Sequence, residues 1–152
     1  MEAEFLLPNQ DATQRLAALV GAQLRPHDVL ALHGDLGAGK TCFARALIQQ
    51  LNPAETEVPS PTFTLVQSYS TPHGPLYHFD LYRMSSPEDI YELGWDDARQ
   101  GIILLEWPQR LGRLLPTHRY DLTLNYGAAE EARTALLSGP DEIIKKIREQ
   151  WT

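Results

Sequence analysis

Cysteine is almost missing from this chain, with Cys42 alone among 152 residues. A single thiol closes no internal disulfide, so burial has to hold the fold, and a reduced, cytoplasmic setting is expected. Positive charge is scarce as well. Thirteen Lys and Arg against twenty Asp and Glu leave a net charge of −7. Such a surface repels polyanions at long range and lacks the counterion-releasing contacts that nucleic-acid binders depend on, which argues against direct, unaided RNA binding. Nowhere do eighteen apolar residues run together. The opening Met1 to Pro8 is acidic and its apolar part is too short for a signal peptide, so neither a membrane span nor export is expected. Repeats and low-complexity tracts are missing too. The remaining composition, 43% hydrophobic and 22% charged, is that of an ordinary globular protein. Residues 1–152 are expected to form a single domain able to hide roughly 70% of its unfolded surface.

Along the chain, Asp11 to Gln14 has the form of a helix-capping box, and Leu16, Leu19, Val20 and Leu24 follow at helical spacing, predicting a helix over about 12–24. Val29 to His33 is a short apolar run of the kind expected from a strand covered on both faces. A glycine-rich turn comes next, and from Lys40 the pattern is helical, with Phe43, Leu47, Ile48 and Leu51 on one side until Asn52-Pro53. Two prolines make residues 58–64 an extended loop. Residues 65–70 and 76–82 flank Thr71-Pro-His-Gly-Pro75 and read as an antiparallel pair whose alternation puts His78, Asp80 and Tyr82 on one face. Ser86-Pro87-Glu88-Asp89 starts a short helix ending near Gly94. Ile102 to Glu106 is a second buried strand, ending in a carboxylate. Residues 120–126 and 133–138 form a hairpin, and an amphipathic helix follows Gly139-Pro140, with Ile143, Ile144, Ile147 and Trp151 on its apolar stripe. The expected class is α/β, a three-layer fold like that of P-loop nucleotidases around a central mixed β-sheet.

Gly34-Asp-Leu-Gly-Ala-Gly-Lys-Thr41 matches GxxxxGK[ST] between an apolar strand and a helix. Gly34, Gly37 and Gly39 let the backbone turn its N–H groups onto phosphate oxygens, Lys40 brings a cation to the β and γ phosphates, and Thr41 brings a hydroxyl to Mg²⁺. The helix beginning here adds the positive end of its dipole. By composition the four fixed positions coincide by chance at fewer than roughly 1 in 10,000 sites. ATP and Mg²⁺ are therefore the expected ligands. A nucleotidase of this kind also needs a carboxylate by the metal, and Glu106 at the end of an apolar strand and Asp80 in His78-Phe-Asp-Leu-Tyr-Arg83 are the two candidates. Thr62 and Thr64 are candidates for sensing the γ-phosphate. Trp107 reads as core or as a lid over the site, with core the more ordinary role. Five histidines beside one cysteine make no recognisable zinc set.

These strings, together with Ser60-Pro-Thr-Phe-Thr-Leu-Val66, Glu92-Leu-Gly94 and Glu106-Trp-Pro108, resemble those of the TsaE (YjeE) family over nearly the whole chain. The resemblance implies a partner-dependent ATPase of tRNA threonylcarbamoyladenosine synthesis. It would work with TsaB and TsaD, which transfer a threonylcarbamoyl group to N6 of adenosine 37 in tRNAs reading ANN codons, and it would meet tRNA only through that complex. By position, the resemblance implies nucleotide binding by Asp11, Gly37, Ala38, Gly39, Lys40, Thr41 and Cys42, metal binding by Thr41 and Glu106, and catalytic roles for Asp80 and Lys40. Residues 60–64 match the family's switch-like loop. Cys42 stands where a threonine is common, which leaves Thr41 untouched.

Other P-loop readings are weaker. A small-molecule kinase needs an arginine-bearing lid, and the arginines here do not cluster that way. A small GTPase needs an Asn-Lys-x-Asp string, which is missing. A nucleotide-gated interaction module, with slow hydrolysis resetting a binding surface, stays open beside the ATPase reading.

Overall fold

The computed structural model describes residues 1–54, 58–62 and 64–151. Strands run along Glu2–Leu7 (β1), Val29–His33 (β2), Val66–Thr71 (β3), Gly74–Asp80 (β4), Ile102–Glu106 (β5), Tyr120–Tyr126 (β6) and Arg133–Ser138 (β7). Helices cover Gln10–Gly21 (α1), Lys40–Leu51 (α2), Trp95–Ala98 (α3) and Asp141–Trp151 (α4), and 3-10 turns cover Pro87–Leu93 and Pro108–Leu114. The strands join in one mixed sheet in the order β1-β7-β6-β2-β5-β4-β3. Its strands β6, β2, β5 and β4 are mutually parallel; antiparallel β3 extends one side, and β7 followed by β1, each antiparallel to its neighbour, extends the other. This is the expected α/β arrangement.

Period-two alternation divides the buried side chains between the two faces of the sheet. On one face Leu30, Leu32, Leu76, Leu104, Leu122 and Leu137 pack with Leu16 and Val20 of α1, Phe43 and Leu47 of α2, and Ile144 and Ile147 of α4. On the other, Val29, Phe79, Ile103 and Leu105 meet Met84 from the segment after β4 and Ile90, Trp95 and Leu111 from the short helical pieces between the strands. Because β2 and β5 are covered on both sides, they read as unbroken apolar runs.

Several boundaries differ from the sequence reading. Helix α1 begins earlier, because Asn9 is its cap and accepts the amide of Ala12 at 3.0 Å. The extended backbone that a cap requires lies at Asn9, and Asp11 sits in the first turn, where its charge suits the helix dipole. Strand β1 was not expected. Its alternation is short, with Ala3, Phe5 and Leu7 inward, and it becomes legible only against its partner β7. The hairpin of β3 and β4 is tighter than expected, turning at residues 71–74, and β4 stops at Asp80, so Tyr82 lies past its end. The segment after Glu106 forms a 3-10 turn that the sequence reading left unassigned. Of the expected switch loop, Phe63 lies outside the described residues. No described helix is long and apolar enough to cross a membrane.

Phe43, fully buried between α2 and the sheet, carries the larger core. Phe43→Ala is expected to cost about 3–5 kcal/mol of stability. Leu136→Ala, at a half-open position on β7, should stay within about 0.5 kcal/mol. Urea unfolding of both variants tests the contrast.

Candidate functional site

The carboxyl ends of the parallel strands β2, β5 and β4 lie side by side, and the loop after β2 runs across them into α2. In open α/β sheets this end of the strands is where ligands sit. Register decides which side chains meet there. Asp80 is the direct partner of Glu106, and His78 of Leu104, so His78, Asp80 and Glu106 all project toward α2.

The loop after β2 is held by its glycines and by the β6–β7 hairpin. Gly34 has φ 145°, and a Cβ there would lie 2.6 Å from the carbonyl oxygen of Leu124. Gly39, at φ 110°, is the residue before α2 and has no side chain to cap it, so the first amides of the helix stay free for a ligand. Two side chains of the hairpin tie the loop down. The Tyr126 hydroxyl donates to the carbonyl of Leu36 at 2.9 Å, and Arg133 Nε donates to that of Ala38 at 3.0 Å. Tyr126 and Arg133 face each other across the hairpin, and the Arg133 guanidinium lies 4.8 Å from the Tyr126 ring centre.

Lys40 opens α2 and is buried. Its ammonium donates to the carbonyls of Gly34 and Asp35 and lies 3.8 Å from the centre of the Trp107 ring. Burial pulls its pKa below the ordinary lysine value, while the carboxylates of Glu106, Asp80 and Asp35 oppose that shift. Trp107 reaches this position through a left-handed backbone, φ 58°, which turns the chain at the end of β5, and its ring centre lies 4.9 Å from that of Tyr82 with the planes tilted by 46°. The indole is half-buried, and through these contacts it forms a wall of the site.

Glu106 is 2% exposed and both of its oxygens are engaged. Oε1 accepts the hydroxyl of Thr41 at 2.8 Å, and Oε2 accepts Nε2 of His78 at 2.6 Å. Asp80 accepts the hydroxyl of Thr62 at 3.0 Å through Oδ2 and the amide of Tyr82 at 3.1 Å through Oδ1. Thr62 thus ties the proline-bounded loop to the end of β4, and Ser60 supports it at 2.7 Å. Thr64 points elsewhere, accepting from Gln67.

Two cavities meet at α2. A cavity of about 220 Å³ is lined by Leu36, Gly37, Gly39, Lys40, Thr41, Cys42, Thr62, Asp80, Tyr82, Glu106 and Trp107. A second, of about 380 Å³, shares Gly39 and Cys42 and extends over Ala38, Arg45, Gln49, Leu124, Glu130, Glu131 and Arg133. The first turn of α1 closes it with Gln10, Thr13 and Gln14. Asp11 is exposed and is not among the lining residues, since helical geometry turns it about 100° away from Gln10. Of the residues singled out from the sequence, Gly37, Gly39, Lys40, Thr41, Cys42, Asp80 and Glu106 converge on the smaller cavity, and Ala38 lines the larger. The sequence reading assigned no role at the site to His78, Tyr126 or Arg133. For His78 a signal was available, its two-residue spacing from Asp80. For the hairpin pair there was none, because only folding brings residues 126 and 133 to the loop.

Replacement of Gly34 by alanine is expected to remove about 1–3 kcal/mol of stability through left-handed strain and the clash with Leu124. Thermal melting measures it.

Comparison with known proteins agrees with this geometry. The family model described as threonylcarbamoyl adenosine biosynthesis protein TsaE matches residues 7–135. A protein of Rickettsia felis named tRNA threonylcarbamoyladenosine biosynthesis protein TsaE is 47% identical over 112 residues, 73% of this chain and 66% of that protein. The proteins of the same name from Rickettsia bellii and Bacillus subtilis are 42% and 38% identical, over 82% and 81% of this chain and 87% and 77% of their own lengths. The crystal structure of Bacillus subtilis YdiB superposes with a TM-score of 0.72 at 28% identity, covering 99% of this chain and 94% of that one. With a family model spanning most of its length and relatives this similar, the chain belongs to the TsaE family of threonylcarbamoyl adenosine biosynthesis proteins.

Proposed function

We propose that this chain is a P-loop ATPase that binds Mg-ATP and acts, with TsaB and TsaD proteins, in forming N6-threonylcarbamoyladenosine at position 37 of tRNAs reading ANN codons. It would meet tRNA only through that complex, in keeping with its net charge of −7. The observation that carries the reading is the 2.8 Å contact between the Thr41 hydroxyl and the Glu106 carboxylate, beside the Lys40 ammonium and under a glycine loop with free helix amides. The tRNA modification itself is supported by the names of the similar proteins.

The donor set fits Mg²⁺. Thr41 and Glu106 are hard oxygen ligands on adjacent elements, and with Asp80 nearby they suit an ion that takes one or two protein oxygens and completes its shell with water and phosphate. When bound, the ion would neutralise phosphate charge. The protein's part is to hold the triphosphate by the residue 34–41 backbone and Lys40, and to orient the attacking water by Asp80, whose carboxylate is fixed by Thr62 and Tyr82. Phosphate oxygens would take over the Lys40 donors that now bind the Gly34 and Asp35 carbonyls. The larger cavity, directly across Gly39 and Cys42, suits the nucleoside. It offers the side-chain amides of Gln10, Gln14 and Gln49 for base edges, and Arg45 and Arg133 for ribose and phosphate.

Slow turnover by the isolated chain follows from the same lining. Among the described residues of the smaller cavity there is no arginine to neutralise the transferring phosphoryl group, a contribution worth on the order of 10³–10⁵ in rate when a partner supplies it. Leu36, 70% exposed, and Tyr82 stand at the cavity's rim, where a partner would cover them. A nucleotide-gated module is the second reading, favoured by the Thr62–Asp80 bond that links the loop to the hydrolytic face. ATP turnover with and without TsaB and TsaD decides between them: the ATPase reading expects strong stimulation, and an unchanged rate with nucleotide-dependent binding favours the module.

Lys40→Ala is expected to abolish ATP binding in calorimetry, and a wild-type titration curve would contradict its assignment. Glu106→Ala should weaken affinity chiefly when Mg²⁺ is present. Asp80→Ala should lower turnover at saturating Mg-ATP by about 10²-fold or more with little loss of binding, and unchanged hydrolysis would remove Asp80 from the catalytic set.

A further inference from the structure

We propose that His78 is a positioning residue that holds the Glu106 carboxylate by one oxygen, so that only Oε1 is presented to the cation, and thereby sets the site's preference for a small divalent ion. The inference rests on the Mg-ATP reading above. His78 lies within β4, is 0% exposed, and is not itself among the residues lining either cavity. Its Nε2 is 2.6 Å from Glu106 Oε2, and since a carboxylate only accepts, Nε2 carries the proton. The other ring nitrogen, Nδ1, is buried without a hydrogen-bond partner among the described residues. Leu76, two residues earlier on the same face, shows that the core there accepts an apolar side chain. A buried imidazole with an orphaned nitrogen is a poorer core residue than leucine, because the unpaired acceptor has lost its water. What the imidazole adds is the bond to Glu106.

That bond has a geometric consequence. Thr41 engages Oε1 from the loop side while His78 engages Oε2 from within the sheet, so rotation of the carboxylate about its last torsion is blocked at both ends. With Oε2 occupied, Glu106 offers a single oxygen. Mg²⁺ demands near-octahedral geometry and takes carboxylates one oxygen at a time, whereas Ca²⁺ accepts both oxygens of one carboxylate in a larger, looser shell. A carboxylate freed from its imidazole would turn both oxygens to the cation, losing orientation for Mg²⁺ and gaining tolerance for Ca²⁺. Outer partners of this kind typically change metal affinity by about 10- to 100-fold.

The test uses the full chain and equilibrium binding of a fluorescent ATP analogue, titrated with Mg²⁺, with Ca²⁺, or in EDTA. For His78→Leu we expect analogue affinity in EDTA to stay within about two-fold of wild type, half-saturating Mg²⁺ to rise on the order of 10- to 100-fold, and the Mg²⁺ over Ca²⁺ preference to shrink. His78→Gln, whose amide N–H reaches the place of Nε2, should recover most of both. An unchanged Mg²⁺ requirement and cation preference in His78→Leu overturns the proposal. So does an equal loss of affinity in Mg²⁺ and in EDTA for both variants, which marks a packing role only. If wild-type affinity is itself insensitive to Mg²⁺, the Mg-ATP reading fails and this inference with it, whereas a Mg²⁺-dependent wild type with an unaffected variant sinks the inference alone. Should His78→Leu not fold, ¹⁵N spectra of histidine-labelled wild type decide. A protonated Nε2 and bare Nδ1, with the Nε2 signal moving when Mg²⁺ and nucleotide are added together but not with nucleotide in EDTA, supports the proposal. The opposite tautomer, or no movement, overturns it.

Discussion

Holding the Glu106 carboxyl group in a nearly dry position is the constraint around which the site is built. An acid taken out of water is costly unless its oxygens are hydrogen-bonded, and each oxygen of Glu106 receives one donor, Thr41 from α2 and His78 from β4. Acceptor and donors come from three elements, β5, α2 and β4, that are neighbours only because β2, β5 and β4 pair in parallel. Lys40 adds a cation on the same side, held against Trp107 and the loop carbonyls. The pairing of the strands, the start of α2 and the geometry of the site thus depend on one another.

The β6–β7 hairpin supports this centre from outside. Tyr126 and Arg133 take up carbonyls of the loop after β2, so the backbone amides on its other side remain turned to the cavities. The same hairpin supplies Leu124, whose carbonyl leaves no room for a side chain at Gly34, and Leu124, Glu130, Glu131 and Arg133 as a wall of the larger cavity. A segment that looks like plain scaffolding in one dimension therefore shapes the loop and one wall of the larger cavity.

The loop of residues 58–62 differs in how it is held. Arg45 of α2 anchors it through the carbonyl of Val58 at 2.9 Å, and Thr62 reaches Asp80. Both anchors touch the site, one from the helix that opens with Lys40 and one from the acid assigned to hydrolysis. Anything that pulls the loop away changes the surroundings of Asp80 directly.

Read by itself, the sequence determined the class of fold and the strand–loop–helix at residues 29–51, and it pointed to Lys40, Thr41, Asp80 and Glu106, which the fold gathers at one cavity. These were legible because their signals are local: glycine spacing, an unbroken apolar run closed by an acid, and helical periodicity. The tertiary structure decided that Asn9 rather than Asp11 caps α1, that Glu2–Leu7 pairs as an edge strand, and that Gln10, Thr13 and Gln14 rather than Asp11 line the larger cavity. It also decided that His78 grips Glu106 and that Tyr126 and Arg133 hold the loop. Each of these is a contact between residues far apart along the chain, set by strand order and register, and no periodicity within one segment encodes which strand will lie beside it.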